Sequence, residues 1–298
     1  MYCLRHQAAT GAFEHQNAKT TIAHLQLTRL LNVLVPEISV EEQRRIVKRL
    51  KAQITAAEDA RVASISQMAD ALKLSESLHR QAFCGIVPIS TVSDHTDTPH
   101  GWRWSPINSL ASLESGHTPS RSRPDWWGGD VSWISLTEIR LLDGRWTEET
   151  RIKTNPDGIA HSAARILPRG TVCLSRTASV GFVTIMAKPM ATSQDFANWV
   201  CGDELDPEFL MYALICSREQ LRSLATGATH KTIYMPTLEQ FRICAPPRPE
   251  QERIVRRLRD QLATAESARV AAEAQLKEIQ RLPERILATA FGEGERSA

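Results

Sequence analysis

EQRRIVKRLKAQITAAEDARVA at residues 42–63 returns as EQERIVRRLRDQLATAESARVA at residues 250–271, and the match runs on without a gap to the pair Phe83/Phe291. Of the 42 paired positions, 19 are identical, Glu42/Glu250, Gln43/Gln251 and Arg61/Arg269 among them. A self-match of this length, displaced by 208 residues, means that one structural unit is used twice with something different between its copies. In the first copy Ile46, Leu50, Ile54, Ala57, Ile65, Met68 and Leu72 recur at spacings near three and four. Ile254, Leu258, Leu262, Ala265, Ala272, Leu276 and Ile279 do the same in the second. This spacing predicts a long amphipathic helix in each copy, with a stripe narrow and alanine-rich enough for close packing. At ~1.5 Å per residue, about 40 residues make a rod of roughly 60 Å. A plain oligomerisation helix would carry the same stripe, but two similar helices in one chain favour an antiparallel pair with each other. Pro283 is expected to kink or briefly interrupt the second helix near its end.

Both helices open in the same way. LLNVLVPEISVEEQ at 30–43 and QFRICAPPRPEQ at 240–251 each read as an apolar β-like run, a proline turn and a Glu-Gln helix start. KTT at 19–21 parallels KTI at 231–233. Residues 1–40 therefore read as the end of a first domain, residues 41–85 as the first helix and residues 86–100, rich in Ser, Thr, Asp and Pro, as a linker. Residues 101–248 form a globular middle, 249–292 the second helix and 293–298 a tail. All seven tryptophans fall between Trp102 and Trp199, which marks that middle off from its helical flanks. Its short apolar runs VSWISL, TVCLS, GFVTIM and ANWVC read as strands, and residues 205–225, acidic early and arginine-bearing late, as a helix. The fold class is α+β: one globular mixed α/β domain flanked by two long amphipathic helices.

The composition suits a cytoplasmic globular protein, with 42% apolar and 23% charged residues and a net charge of +2. Residues 86–231 carry 14 Lys and Arg against 16 Asp and Glu, so any positive face must be local. Cys3, Cys84, Cys173, Cys201, Cys216 and Cys244 show no metal spacing and read as reduced core thiols. No stretch approaches the roughly 18 apolar residues of a membrane span. Phosphate loops, GxGxxG, HExxH and GxSxG are all missing, and His95, His100, His117 and His161 lack ligand spacing. The residues point to a recognition or scaffold protein without an active site or metal of its own.

Six stretches then stand in one order: GW at 101–102, SGHTPSR at 115–121, WWGGDVSWIS at 126–135, LPRGTVCLSRTASVG at 167–181, ATGATHKTIYMPTLEQFRICAPP at 225–247 and EQERIVRRL at 250–258. Together with the duplicated helices they resemble the DNA-specificity (S) subunits of type I restriction–modification systems, over nearly the whole chain. The resemblance implies a target-recognition domain at 101–248 that reads a half-site in double-stranded DNA. It also implies that the helices space two half-sites and dock methyltransferase subunits, with a restriction–motor subunit completing the complex. S-adenosylmethionine, ATP and Mg²⁺ would then be bound by other chains and none by this one. A rod of roughly 60 Å is a little under two duplex turns at ~34 Å each, which suits a bipartite site. Such subunits usually carry two target-recognition domains, whereas one is legible here. A truncated or half-length subunit is expected, pairing with a second copy or another fragment, and a homodimer would read a palindromic site. The alternative is a remnant that serves only as a helical scaffold.

Under this resemblance the first DNA-contact candidate is the loop of His117, Thr118, Ser120, Arg121 and Arg123, whose arginines suit phosphate contact or bidentate guanine readout; a solvated basic turn is the competing reading. Arg176, Thr177 and Ser179 form a second candidate, equally readable as a structural hairpin. Thr229, His230 and Lys231 form a third, and Gln194 sits in another turn. Trp126, Trp127 and Trp133 read as core rather than as stacking platforms for bases. For helix packing or partner docking the candidates are Ile46, Leu50, Ile54, Ile254, Leu258 and Leu262.

Overall fold

The repeated segments form the two longest helices, Val40–Ala82 and Arg248–Phe291. The computed structural model describes residues 1–10, 35, 37–92 and 98–291. The KTT motif at 19–21, most of the expected domain remnant at 1–40, residues 93–97 of the linker and the 293–298 tail lie outside the described residues. In chain order the elements are α1 (Tyr2–Ala9), α2 (Val40–Ala82), β1 (Ile89–Ser90), β2 (Arg103–Pro106), β3 (Ala111–Ser115), β4 (Trp127–Ile134), α3 (Ile139–Leu142), β5 (Arg145–Thr147), β6 (Lys153–Thr154) and α4 (Pro156–Ala160). They continue with β7 (Val172–Ser175), β8 (Val183–Met186), β9 (Ala191–Thr192), β10 (Phe196–Cys201), α5 (Pro207–Cys216), α6 (Arg218–Leu224), α7 (Met235–Glu239), β11 (Arg242–Ala245) and α8 (Arg248–Phe291). The chain divides into two compact units, one of Met1–Lys73 with Thr264–Ala298 and one of Leu74–Ala263.

In the first unit the helices bury matching seams. Leu50, Ala57 and Ser64 on α2 are buried, as are Ala265, Ala272 and Ile279 on α8, each set at seven-residue intervals. Half-buried Ile54, Arg61 and Met68, and Arg269 and Leu276, fall between them. This is the a/d alternation of a heptad, with small residues at several buried positions. Arg61 pairs with Glu58 at 2.7 Å and Arg269 with Glu266 at 2.8 Å, so the repeat also reproduces an ion pair beside the seam. The expected stripe needs one correction: Ile65 and Leu72 are 44% and 58% exposed, and the seam passes through Arg61, Ser64 and Ala71 instead. From Leu50 a spacing alternating four and three reaches 54, 57, 61, 64, 68 and 71. Ile65 and Leu72 lie one residue, about 100° of helix rotation, off that line. The expected interruption at Pro283 does not occur either, since α8 runs through it to Phe291. A proline removes a single N–H from the ladder, and the turns on either side stay hydrogen-bonded.

The second unit is built on a five-stranded sheet in the order β3-β10-β7-β8-β5, antiparallel except for β5 beside β8. β7 and β8 are buried on both faces, which is why their sequences read as unbroken apolar runs rather than alternating ones. α5 lies against β7 and β8. It starts where Asp206 accepts hydrogen bonds from Glu208 N and Phe209 N ahead of Pro207 in the first turn. Ile134, Ile139, Leu167, Cys173, Met186, Met190 and Phe196 form one core cluster. A small sheet β6-β4-β9 carries the WWGGDVSWI run, and β1-β11-β2 closes the other side. The helix expected over 205–225 is two helices, parted at Ser217. The Ser217 hydroxyl donates to Ala213 O and accepts from Ile89 N, so it bonds back to the preceding turn and tethers β1. Of the six cysteines only Cys173 and Cys244 are fully buried, and Cys84 is exposed, so the expected core placement holds for two.

The Glu-Gln helix start also has a physical reason. Gln43 Nε2 donates to Ile38 O at 3.0 Å, and Gln251 Nε2 makes the equivalent bond to Pro246 O at 2.9 Å. Buried Gln251 does more: its amide also donates to Glu204 O and accepts from Asp206 N, fastening the start of α8 to the α5 cap.

His79, on the part of α2 that belongs to this unit, lies beside Tyr212 with ring centroids 5.7 Å apart. Its Nδ1 donates to Ser75 O at 2.8 Å, and buried Nε2 has no partner among the described residues. Burial pushes its pKa below the ordinary value, the bond to Ser75 opposing. The unfolded chain therefore takes up this proton first as pH falls, and stability declines below about pH 6.5 by at most about 1.4 kcal/mol per pH unit. Urea unfolding between pH 8 and 5 should show this decline, and His79→Gln should flatten it.

Candidate DNA interface

The candidate residues come from four stretches of sequence, and the fold draws them to one rim of the second unit. The first stretch begins at Gly116, where the chain leaves β3. His117 N donates to Thr192 O at 2.9 Å, and Trp133 Nε1 donates to His117 O at 3.2 Å. A Cβ on Gly116 would overlap the Thr192 hydroxyl and the carbonyls of Thr192 and Ser193, so only glycine lets the loop lie this close to β9. The Thr118 hydroxyl bonds to the Gln194 side chain, which brings the second stretch alongside. Ser120 and Ser122 hydroxyls meet at 2.8 Å.

The third stretch follows β7. Arg176 is its hub: Arg176 N donates to Asp195 O and Arg176 O accepts from Ile233 N. Its half-buried guanidinium donates to Gln194 O at 2.8 Å and Ile233 O at 3.3 Å. Burial lowers the pKa of this guanidinium, with Asp195 opposing. Arg176 is thus a structural strut whose two terminal nitrogens donate to main-chain carbonyls. Ala178, at φ +57°, donates through its N–H to Lys231 O, and Thr177 bridges to Thr232. The fourth stretch is a tight turn closed by reciprocal bonds between Thr226 and Thr232, with Gly227 at φ +117°. Thr229, His230 and Lys231 stand exposed on it.

Two features of this rim were not read from the sequence. Arg140, Arg222 and Lys231 line one groove with Ser179, Val180 and Phe182. The Phe182 ring is flanked by Arg140, Arg218 and Arg222 at 5.5, 5.2 and 6.0 Å. Arg218 is held in place by its Nη2, which donates to both carboxylate oxygens of Asp143. Nothing in their spacing signals this, because residues 140, 182 and 222 are far apart in the sequence and meet only in the folded chain. The other feature concerns the tryptophans. Trp133 is core, as expected, but half-exposed Trp126 and Trp127 carry Arg123 and Arg121 on their rings, at 4.7 and 3.8 Å. Of the packing candidates, Leu50, Ile254 and Leu258 are buried and Ile46, Ile54 and Leu262 half-buried. Among the described residues no group of three or more His, Cys, Asp or Glu is placed to hold a metal ion, and no helix is long and apolar enough to cross a membrane.

Comparison with known proteins places this geometry in context. Residues 99–278 match the type I restriction modification DNA specificity domain. The type I restriction enzyme MjaIX specificity subunit of Methanocaldococcus jannaschii is 27% identical over 158 residues, covering 52% of this chain and 37% of that protein. The HindI specificity subunit of Haemophilus influenzae is 28% identical over 133 residues, 44% of this chain and 28% of its own length. The chain thus aligns with well under half of either relative. In fold it resembles a chain from a structure of the assembly and conformational transition of the type I R-M system, with a TM-score of 0.73 at 21% identity, covering 97% of this chain and 68% of that one. It also resembles the HsdS subunit from Thermoanaerobacter tengcongensis, with a TM-score of 0.63 at 21% identity, covering 97% of this chain and 69% of that one.

Proposed function

The chain belongs to the type I restriction modification DNA specificity family, and from that premise we propose that it is the non-catalytic DNA-reading subunit of such a complex. On this reading the rim of residues 117–123, 177–179, 194 and 226–232 meets one half-site of double-stranded DNA. The observation that carries it is the convergence of these loops: main-chain bonds lock them together while Arg121, Gln194, His230 and Lys231 remain exposed. Rigid loops with exposed donors suit base readout, and the groove of Arg140, Arg222 and Lys231 supplies local positive charge for phosphates in a domain whose net charge is close to zero. The long helices act as the spacer on which methyltransferase subunits dock, and a restriction–motor subunit joins the same assembly. A second copy of this chain, or another specificity fragment, supplies a second half-site. S-adenosylmethionine, ATP and Mg²⁺ belong to the partner chains.

Selection from a random duplex library by the chain with its methyltransferase subunit tests this. Enrichment of one short motif, with affinity falling steeply as salt rises, is expected. Arg140→Ala and Lys231→Ala should each weaken binding evenly across sequences and lower the salt slope by about one. Complex formation without any enriched motif would favour the helical scaffold over the reader.

A further inference from the structure

Three arginines lie in the candidate loops, and the structure gives them three different situations. Arg123 donates through Nε and Nη2 to the Asp125 carboxylate at 2.9 and 2.7 Å. Arg176 is half-buried and donates to the carbonyls of Gln194 and Ile233. Arg121 is exposed, and no described residue accepts a hydrogen bond from it. Its guanidinium carbon lies 3.8 Å from the centroid of the Trp127 ring and 5.1 Å from that of Trp133.

The platform beneath Arg121 is fixed. Trp127 Nε1 donates to Ser120 O at 3.1 Å, which ties the ring to the residue before the arginine. Its ring meets Trp133 edge-on, with centroids 5.0 Å apart and planes 82° to one another. Trp133 is 2% exposed and anchored to His117 O. A guanidinium resting on an aromatic face makes that contact with its π surface and keeps its N–H donors at the periphery. Side-chain freedom that a long arginine would lose on binding is already reduced, which favours a directional contact. The matching ligand is a planar pair of acceptors, and on the major-groove edge of duplex DNA that pair is O6 and N7 of guanine.

We infer that Arg121, stacked on Trp127, reads a guanine in the half-site, and that Trp127 is its positioning residue. This rests on the DNA-reading function proposed above. A phosphate would satisfy the same fork, but a phosphate contact carries no sequence information, so the two sources give different results.

The experiment is motif selection from a random duplex library, using the full chain with its methyltransferase subunit. Wild type should enrich a motif containing at least one strongly preferred G·C pair. Arg121→Ala should lose the preference at that one position, by roughly 5- to 150-fold, with the other positions unchanged. Trp127→Ala should weaken preference at the same position and Trp127→Phe, which keeps a ring face, should restore it. Circular dichroism melting of each variant separates a reading defect from a folding one. An Arg121→Ala motif identical to wild type at every position, or one weakened evenly across sequences as a phosphate contact requires, overturns the inference and leaves the DNA-reading function standing. A wild-type complex that enriches no motif overturns that function and this inference with it.

Discussion

Trp199→Ala should unfold or nearly unfold the Leu74–Ala263 unit, at a cost of about 3–5 kcal/mol. Trp199 is fully buried on β10, which pairs with β3 on one side and β7 on the other, and its ring stacks on Phe241 at 6.2 Å. Truncation leaves a cavity in the middle of the sheet that neither neighbouring strand can close without breaking its ladder. A loss of this size is comparable to the whole stability of many domains. Trp199→Phe should cost much less. It keeps a ring against Phe241, and it removes a buried indole N–H that has no acceptor among the described residues. The measurement is urea unfolding followed by tryptophan fluorescence, which reports on this unit because all seven tryptophans fall within it. Equal losses for the two substitutions would refute the cavity argument.

Gly116→Ala should retain the fold and lose sequence-specific DNA binding by about 10-fold or more, a change worth about 1.4 kcal/mol. The added Cβ would sit 2.5 Å from Thr192 O and closer still to the Thr192 hydroxyl and Ser193 O. Two of these three atoms are backbone, so no side-chain rotation relieves the overlap. The loop must lift away from β9, and the bond from His117 N to Thr192 O and the contact between Thr118 and Gln194 then fail. Overpacking of this kind costs about 1–3 kcal/mol. Competition binding, with a selected duplex against random duplex, checks the result. Unaltered discrimination by the variant would mean that the seating of this loop does not matter to reading.

The helical framework was legible in the chain because two signals agree there: heptad-like spacing and a gapless repeat identical at 19 of 42 positions, Glu42-Gln43 returning as Glu250-Gln251. The strands β7, β8 and β10 were legible as apolar runs for the reason that both their faces are buried. Ile65 and Leu72 misled because hydrophobicity alone does not distinguish a seam position from one a single residue away, where Ser64 and Ala71 in fact fill the seam. The split at Ser217 depends on a bond to Ile89, 128 residues away, which no local pattern announces. The site was legible in outline only. Its four loops contain the hydroxyl, amide and cationic residues that DNA contact needs, but their roles are set by partners distant in sequence. Arg176 has the chemistry of a contact, but its carbonyl partners make it a strut, and the pairing of Arg121 with Trp127 appears only when the loop folds back onto β4.

The most direct test of the central claim is to express this chain with its methyltransferase subunit in a host free of DNA methylation and to sequence the modified bases. The account predicts new methylation in one bipartite motif with a fixed gap, palindromic where two copies of the chain pair. A soluble complex that leaves the genome unmethylated would contradict it.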